Sequence, residues 1–146
     1  MSTLEKAIAI AATAHAGQLD KADQPYILHP LRVMLRVATL DEKMAAVLHD
    51  VVEDTPVTLE ELAREGFSPE VLSAVSALTK QSGESRLDAA IRAAANAIAR
   101  NVKLADNTEN MDLSRIRTPT ARDYERLEEY KKVRELLLAA GAQSTA

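Results

Sequence analysis

Apolar residues recur every three to four positions along most of the chain, a period typical of amphipathic helices. Capping residues separate these apolar runs. Ser2 and Glu5 have the spacing of a capping box at the start of the first helix, which should end at Gly17. Pro30 is expected at the first position of a second helix, with His29 at or near its cap.

The same kinds of capping residues mark the boundaries of the later helices. A third helix is predicted from about Asp41 to Asp54, and two shorter helices follow, capped by Thr58 and Ser68. The long helical stretch after them should break near Asn96, and a final charged amphipathic helix should end at Gly141. No segment shows the strict alternation of a strand. The pattern therefore predicts an all-α fold, a bundle of roughly seven helices.

Composition narrows the class of protein. The length of 146 residues predicts one domain. Because the last helix should end at Gly141, that domain spans residues 1–141 and a flexible tail spans 142–146. The chain is 47% hydrophobic and only 3% aromatic, which predicts a core of small aliphatic side chains. The net charge of −4 argues against a nucleic-acid partner, which would need a basic face. The amino terminus is not that of a signal peptide, and no apolar run approaches the ~20 residues that span a bilayer. We therefore expect a cytoplasmic protein with no membrane partner.

The stretch "AAVLHDVVEDT" concentrates four ionisable groups within six residues. On a continuous helix, His49, Glu53, Asp50 and Asp54 share an arc of roughly 140°, with Val and Leu on the opposite side. This could be an ordinary solvated face. However, no Lys or Arg lies one turn away, and flanking apolar residues suggest partial burial, where unpaired anions are costly. A divalent cation would resolve both problems, and because the chain has no Cys its ligands must be His, Asp or Glu.

Further ligands must come from other segments, because one helix cannot complete a metal shell. His29 lies at a loop–helix junction, from which its side chain can point toward another helix, whereas we expect His15 to be structural. A second polar stripe, in "ARNVKLADNTENM", adds a carboxylate, two amides and two cations within an arc of about 120°. It consists of Arg100, Lys103, Asp106, Asn107 and Asn110. The stripe is either an exposed face or a source of one more ligand and of phosphate contacts.

Three sequence blocks carry a family resemblance. They are "AHAGQLDKADQPYILHPLRVM", "HDVVEDTPVTLEEL" followed by "LTK", and "VKLADNTENM", in this order between residues 14 and 111. Together they resemble the HD phosphohydrolase superfamily, and within it the hydrolase domain of the RelA/SpoT alarmone enzymes. The chain length is similar to that of the stand-alone small alarmone hydrolases, including the metazoan SpoT-like proteins. The resemblance implies a single HD-domain helical bundle.

The resemblance also implies roles for individual residues. It implies a metal, usually manganese, held by His29, His49, Asp50 and Asp106. Glu53 and Asp54 match the catalytic acidic pair, which would activate the attacking water as a general base. Lys21 matches a basic residue of the substrate-binding loop, and Asn110 matches an Asn one helical turn after the last ligand. Arg100 and Lys103 are the further candidates for phosphate contacts, with Arg92 and Lys80 as alternatives.

One loop position departs from the family pattern. The best-known guanosine alarmone hydrolases have an Arg that lies over the purine base, and this chain has Asp20 there, next to Lys21. Losing a planar cation removes a stacking partner and adds negative charge near a polyanionic substrate. The preference for a guanine or an adenine substrate therefore stays open.

The expected function is manganese-dependent release of pyrophosphate from the 3′-diphosphate of (p)ppGpp or (p)ppApp. Two alternatives stay open: a phosphatase for another nucleotide such as NADPH, and a catalytically silent nucleotide-binding module. The partner is a small purine nucleotide in each case. The last helix has a strong apolar edge, which could cap the core or form a homodimer.

Overall fold

The computed structural model describes residues 1–144, and nine helices lie within that range. They are α1 (Leu4–Ala14), α2 (Leu28–Leu35), α3 (Leu40–Leu48), α4 (Val51–Asp54), α5 (Leu59–Arg64), α6 (Pro69–Leu78), α7 (Arg86–Ala94), α8 (Ala97–Met111) and α9 (Ala121–Ser144). The extended pairing found in these residues is an isolated antiparallel bridge between Leu19 and Pro25. The all-α prediction is confirmed, with more and shorter helices than the sequence predicts.

Capping side chains set most of the helix starts. Thr58 and Ser68 accept hydrogen bonds from backbone N–H groups of α5 and α6, as predicted. The predicted break near Asn96 is also confirmed, because its side chain caps α8. At the amino terminus the prediction of Ser2 is wrong by one residue. Thr3 is the cap of α1, and its Oγ1 accepts a hydrogen bond from the Lys6 backbone N–H at 3.1 Å.

The predicted helix from Asp41 to Asp54 is interrupted, which is the main correction to the sequence analysis. α3 ends at Leu48 and α4 begins at Val51. The imidazole of His49 donates from Nδ1 to the Ala46 carbonyl at 2.5 Å. The side chain therefore satisfies a backbone carbonyl near the end of α3.

Three further boundaries differ from the sequence analysis. α1 ends at Ala14 rather than at Gly17. α2 begins at Leu28, so His29 lies inside its first turn and Pro30 is its third residue. Proline is tolerated there because the first N–H groups of a helix have no intrahelical partner. At the carboxyl terminus α9 continues past Gly141 to Ser144. Residues 145 and 146 of the predicted tail lie outside the described residues.

The core is organised around α3, which contacts α1, α2, α6 and α8. Fully buried Leu48 and Val47 of α3 belong to this core, as do Val51, Leu62 and Val102. A second, smaller cluster lies where α9 packs on α7; it consists of Ala90, Ala94, Val133 and Leu137. α9 therefore covers the core, and the homodimer stays a prediction. None of the helices in the described residues is long and apolar enough to cross a bilayer.

Candidate metal and phosphohydrolase site

The four expected metal ligands come together from three parts of the fold. His29 is supplied by α2, His49 and Asp50 by the turn between α3 and α4, and Asp106 by α8. His29 Nε2 lies 2.8 Å from Asp106 Oδ1, and His49 Nε2 lies 3.1 Å from Asp50 Oδ2 and 3.4 Å from Asp106 Oδ1. The break between α3 and α4 places His49 and Asp50 in a turn, from which both side chains reach this cluster.

The hydrogen bonding of His49 fits a metal ligand. A carbonyl can only accept, so the bond to Ala46 places the proton of neutral His49 on Nδ1 and leaves a lone pair on Nε2. Nε2 is buried and has no hydrogen-bond partner among the described residues. It instead faces carboxylate oxygens of Asp50 and Asp106. Such a convergence of lone pairs is unfavourable unless a cation or a proton lies between them, and His and carboxylate ligands suit a divalent metal.

The electrostatics of the cluster lead to the same conclusion. Burial by itself would lower the pKa of His49, but the carboxylates of Asp50 and Asp106 outweigh it and raise that pKa well above its usual value. Burial would likewise raise the pKa of both carboxyl groups. The positive charge of His49 lowers the pKa of Asp50, and Lys103 together with the two imidazoles holds that of Asp106 well below its usual range. The site therefore favours positive charge beside its carboxylates.

Tyr26 is a site residue that the sequence analysis missed. Its hydroxyl donates a short hydrogen bond to Asp50 Oδ2. Burial and the neighbouring Asp50 carboxylate raise the pKa of Tyr26 far above its usual value, so the phenol stays a donor. Its ring also packs between the rings of His15 and His29, at centroid distances of 5.0 and 5.8 Å. Tyr26 therefore orients one candidate ligand, Asp50, by a hydrogen bond and packs against another, His29.

The acidic pair lies directly beside the ligands. Carboxylate oxygens of Asp50, Glu53 and Asp54 lie within 4.8 Å of one another. Glu53 Oε1 accepts a hydrogen bond from the Lys80 backbone N–H at 2.5 Å, which fixes its orientation. Burial and the nearby carboxylates raise the pKa of Glu53 and of Asp54, although the Lys80 N–H opposes this at Glu53. A carboxylate with a raised pKa is the better proton acceptor.

Two clefts meet at this cluster, and Asp50, Glu53, Asp106, Asn110 and Tyr130 border both of them. The first has a volume of about 300 Å³ and opens toward the α1–α2 loop and the α8–α9 connection. The second has a volume of about 290 Å³ and lies between α6, α7, α8 and α9. Besides the clustered His49 and carboxylates, the described lining of this cleft carries three cationic side chains, Lys80, Arg86 and Lys103.

The predicted phosphate-binding residues lie at different places in the structure. Lys21 lines the first cleft, with its Nζ 3.7 Å from Asp123 Oδ1. Lys103 lines the second cleft, with its Nζ 3.5 Å from Asp106 Oδ2, and Asn110 donates to Asp106 Oδ1 at 3.3 Å. Arg100 is not among the described residues that line either cleft, and its Nη1 donates to the Ala94 carbonyl at the end of α7.

Lys80 and Arg92, the alternative candidates for phosphate contacts, have different positions, and His15 was predicted to be structural. Lys80 lines the second cleft. Arg92 instead binds three carbonyls at the end of α6 and the Glu84 carboxylate, so it stabilises the fold. His15 is buried, with Nδ1 2.9 Å from Gln18 Oε1.

Asp20 takes part in the structure of its own loop. Its Oδ1 accepts hydrogen bonds from the Ala22 and Gln24 backbone N–H groups at 2.8 and 3.0 Å. Its Oδ2 lies 3.3 Å from Arg115 Nη1 and 3.9 Å from Arg32 Nη2. The negative charge at this position is therefore balanced by cations from distant segments. The sequence analysis also missed Arg115, Arg126, Arg86 and Tyr130 as lining residues, because nothing in their local pattern distinguishes them from an exposed helix face or loop.

A family model and several curated proteins match this chain. The family model described as "HD domain" matches residues 7–142. A guanosine-3′,5′-bis(diphosphate) 3′-pyrophosphohydrolase from Haemophilus influenzae is 41% identical over 116 residues, which cover 70% of this chain and 17% of that protein. A GTP pyrophosphokinase from Streptomyces coelicolor is 36% identical over 147 residues, covering 92% of this chain and 16% of that protein. The chain thus spans less than a fifth of the length of these curated relatives.

A solved structure shares the fold over nearly the whole chain. It belongs to a protein described as a metazoan ortholog of SpoT that hydrolyzes ppGpp. The two structures match with a TM-score of 0.75 at 26% sequence identity, and the match covers 96% of this chain and 85% of the other.

Proposed function

The chain belongs to the HD-domain family, and from this we propose that it is a metal-dependent phosphohydrolase that releases pyrophosphate from the 3′-diphosphate of purine alarmones, (p)ppGpp or (p)ppApp. The observation that carries the proposal is the convergence of two imidazoles and two carboxylates beside a second, acidic pair. The names of its relatives support the choice of substrate class.

The metal would be held by His29, His49, Asp50 and Asp106, and we propose Mn²⁺. A bound divalent metal polarises a phosphoryl oxygen and makes hydroxide available near neutral pH. The chain's own contribution is to hold the ligands in place. Ala46 fixes the tautomer of His49, and Tyr26 fixes Asp50.

Glu53 would take the proton of the attacking water, with Asp54 beside it. The Lys80 N–H orients the Glu53 carboxylate, and burial makes that carboxylate more basic than an exposed one. The water oxygen forms a bond to the phosphorus attached to the 3′-oxygen, the bond between that phosphorus and the 3′-oxygen breaks, and the leaving 3′-oxygen takes up a proton from solvent. The products are pyrophosphate and a nucleotide with a free 3′-hydroxyl.

Cations in both clefts would offset the charge of the phosphates. Lys103 lies beside the ligand cluster, and Lys80 and Arg86 extend the positive charge along the second cleft. Lys21 lines the first cleft. Because the ligand cluster borders both clefts, the scissile diphosphate would lie at their junction. Arg100 does not take part in this proposal.

The test is a product profile of the purified chain with Mn²⁺. We expect pyrophosphate from at least one of ppGpp, pppGpp and pppApp, and none after chelation of the metal. Orthophosphate from NADPH without pyrophosphate from any alarmone would favour the phosphatase alternative. Metal-loaded protein that binds these nucleotides and turns over none of them would favour the silent module.

A further inference from the structure

Two ion pairs join distant segments in the lining of the first cleft. Arg115, in the connection between α8 and α9, lies 3.3 Å from Asp20 in the α1–α2 loop. Lys21, the next residue of that loop, lies 3.7 Å from Asp123 at the start of α9. The two pairs have opposite polarity, so each segment supplies one cation and one anion. All four residues line the first cleft.

Asp20 is an anchor in this arrangement. Both of its oxygens are engaged, one by the two backbone N–H groups of its own loop and the other by arginines. Burial would raise its pKa, but the hydrogen bonds from Gln24 and Ala22 and the charge of Arg115 lower it, so the group is ionised. A carboxylate held in this way orients a guanidinium at a fixed place on the cleft wall.

Arg115 has more N–H donors than its contacts with the described residues use. A guanidinium presents several N–H donors in a planar fork, and Arg115 uses Nη1 for its one ion pair in the described part of the chain. Its side chain is 34% exposed. The nearby Asp112 carboxylate accepts from the Ser114 backbone N–H through Oδ1 and forms no ion pair with Arg115 among the described contacts. The remaining edge of the Arg115 fork is therefore available to a ligand in the cleft.

We propose that Arg115 binds the 5′-phosphates of the nucleotide and that Asp20 positions it for this task. The inference rests on the proposed function, because the scissile 3′-diphosphate must lie at the metal ligands, beside Lys103. Arg115 lines the first cleft and is not among the described lining residues of the second. It is thus suited to the end of the substrate away from the junction, where the 5′-phosphates are. A planar fork matches two phosphate oxygens at once.

Binding of nucleotides that carry different numbers of 5′-phosphates tests the proposal. Calorimetric titration of the Mn²⁺-loaded chain with GDP, GMP and guanosine should show affinity falling as phosphates are removed. Arg115→Gln should weaken GDP binding by about tenfold and leave guanosine unchanged. Arg115→Lys should lose less, because the charge stays. Asp20→Asn keeps an oxygen for the loop N–H groups and should weaken GDP binding by about threefold.

Arg117→Gln is the matched control. Arg117 lies in the same connection, is exposed, and is not among the described residues that line either cleft. This variant should bind GDP like the wild type. Equal GDP affinity in Arg115→Gln and wild type, or an equal loss for guanosine, would overturn the proposal, as would a wild type that does not discriminate GDP from guanosine. The readout needs no turnover, so a chain that shows the GDP preference but releases no pyrophosphate would refute the proposed function alone.

Discussion

The acidic residues at the site have two proposed roles, metal ligand and general base, and single substitutions should distinguish them. Asp50 is a candidate ligand, because its Oδ2 faces His49 Nε2 at 3.1 Å, whereas the Glu53 carboxylate accepts from the Lys80 backbone N–H. We expect Asp50→Ala to lose Mn²⁺ and activity together. Glu53→Ala should keep Mn²⁺ and lose turnover by ~10²- to 10⁴-fold, the usual contribution of a general base.

Metal content after dialysis and the rate of pyrophosphate release distinguish the two variants. Circular dichroism would establish that both are folded. Glu53→Ala protein that has lost its metal, or Asp50→Ala protein that retains both metal and activity, would contradict the assignment of roles.

The role of Tyr26 at the site became visible only in the structure. We expect Tyr26→Phe to weaken Mn²⁺ binding by ~10- to 100-fold, because removing its hydroxyl frees Asp50 Oδ2 from the partner that orients it. Tyr124→Phe is the control, since Tyr124 is 54% exposed. Titration of the metal-free chains with Mn²⁺ measures the effect, and equal affinity in both variants would remove Tyr26 from the site.

The sequence could indicate the ligand types but not their supporting contacts. His29, His49, Asp50 and Asp106 lie in motifs that can be found in the chain, and the structure brings them together. Hydrogen bonds such as that from Tyr26 join residues far apart in the sequence. They depend on the tertiary fold and leave no periodic pattern.

Among the helices, the predictable features are those with local causes. The caps at Thr58 and Ser68 and the break near Asn96 could be predicted, because each depends on a side chain that accepts from a backbone N–H three residues along the chain. The interruption at His49 could not be predicted. It accompanies a hydrogen bond from the His49 side chain to the Ala46 carbonyl, and a histidine in a helical sequence can adopt several side-chain conformations. The apolar period continues through the break and hides it.

The connection between α6 and α7 depends on an ion pair that should respond to pH. Arg92 binds the carbonyls of Ser76, Ala77 and Thr79 and also the Glu84 carboxylate, 2.7 Å from its Nη2. The hydrogen bond from Arg92 lowers the pKa of Glu84 from its ordinary 4.5 to about 2. A depressed pKa in the folded state adds stability above the unfolded pKa, and this stability is lost as pH falls toward the folded value.

We therefore expect Glu84→Gln to lower the melting temperature near neutral pH and to have a shrinking effect as pH falls through about 4.5 toward about 2. Thermal unfolding followed by circular dichroism in a chelator measures this. Glu125→Gln is the control, because Glu125 is exposed and has no ion pair among the described contacts. A Glu84→Gln deficit that is independent of pH would show that the carboxylate charge is not responsible.

At the scale of the whole molecule, the site depends on segments that are far apart in sequence. The two clefts meet at candidate metal ligands from α2, α8 and the turn after α3, and Tyr130 of α9 lines both. An all-α bundle could be predicted from apolar periodicity, but the crossing of α9 over α7 and α8 could not. Its strong apolar edge is equally compatible with a dimer and with a cover for the core, and the choice depends on tertiary packing.

Two adjacent leucines of α9 test how this helix is docked. Leu137 is fully buried against Ala90 and Ala94, whereas Leu138 is 50% exposed. We expect Leu137→Ala to reduce the free energy of unfolding by about 2–5 kcal/mol, because it leaves a cavity, and Leu138→Ala to change it by less than about 0.5 kcal/mol. Urea unfolding of both variants measures the difference. Because α9 also supplies Tyr130 to the clefts, Leu137→Ala should raise KM as well. An equally large loss of stability in Leu138→Ala would mean that its face of α9 is covered in solution, as the predicted homodimer requires.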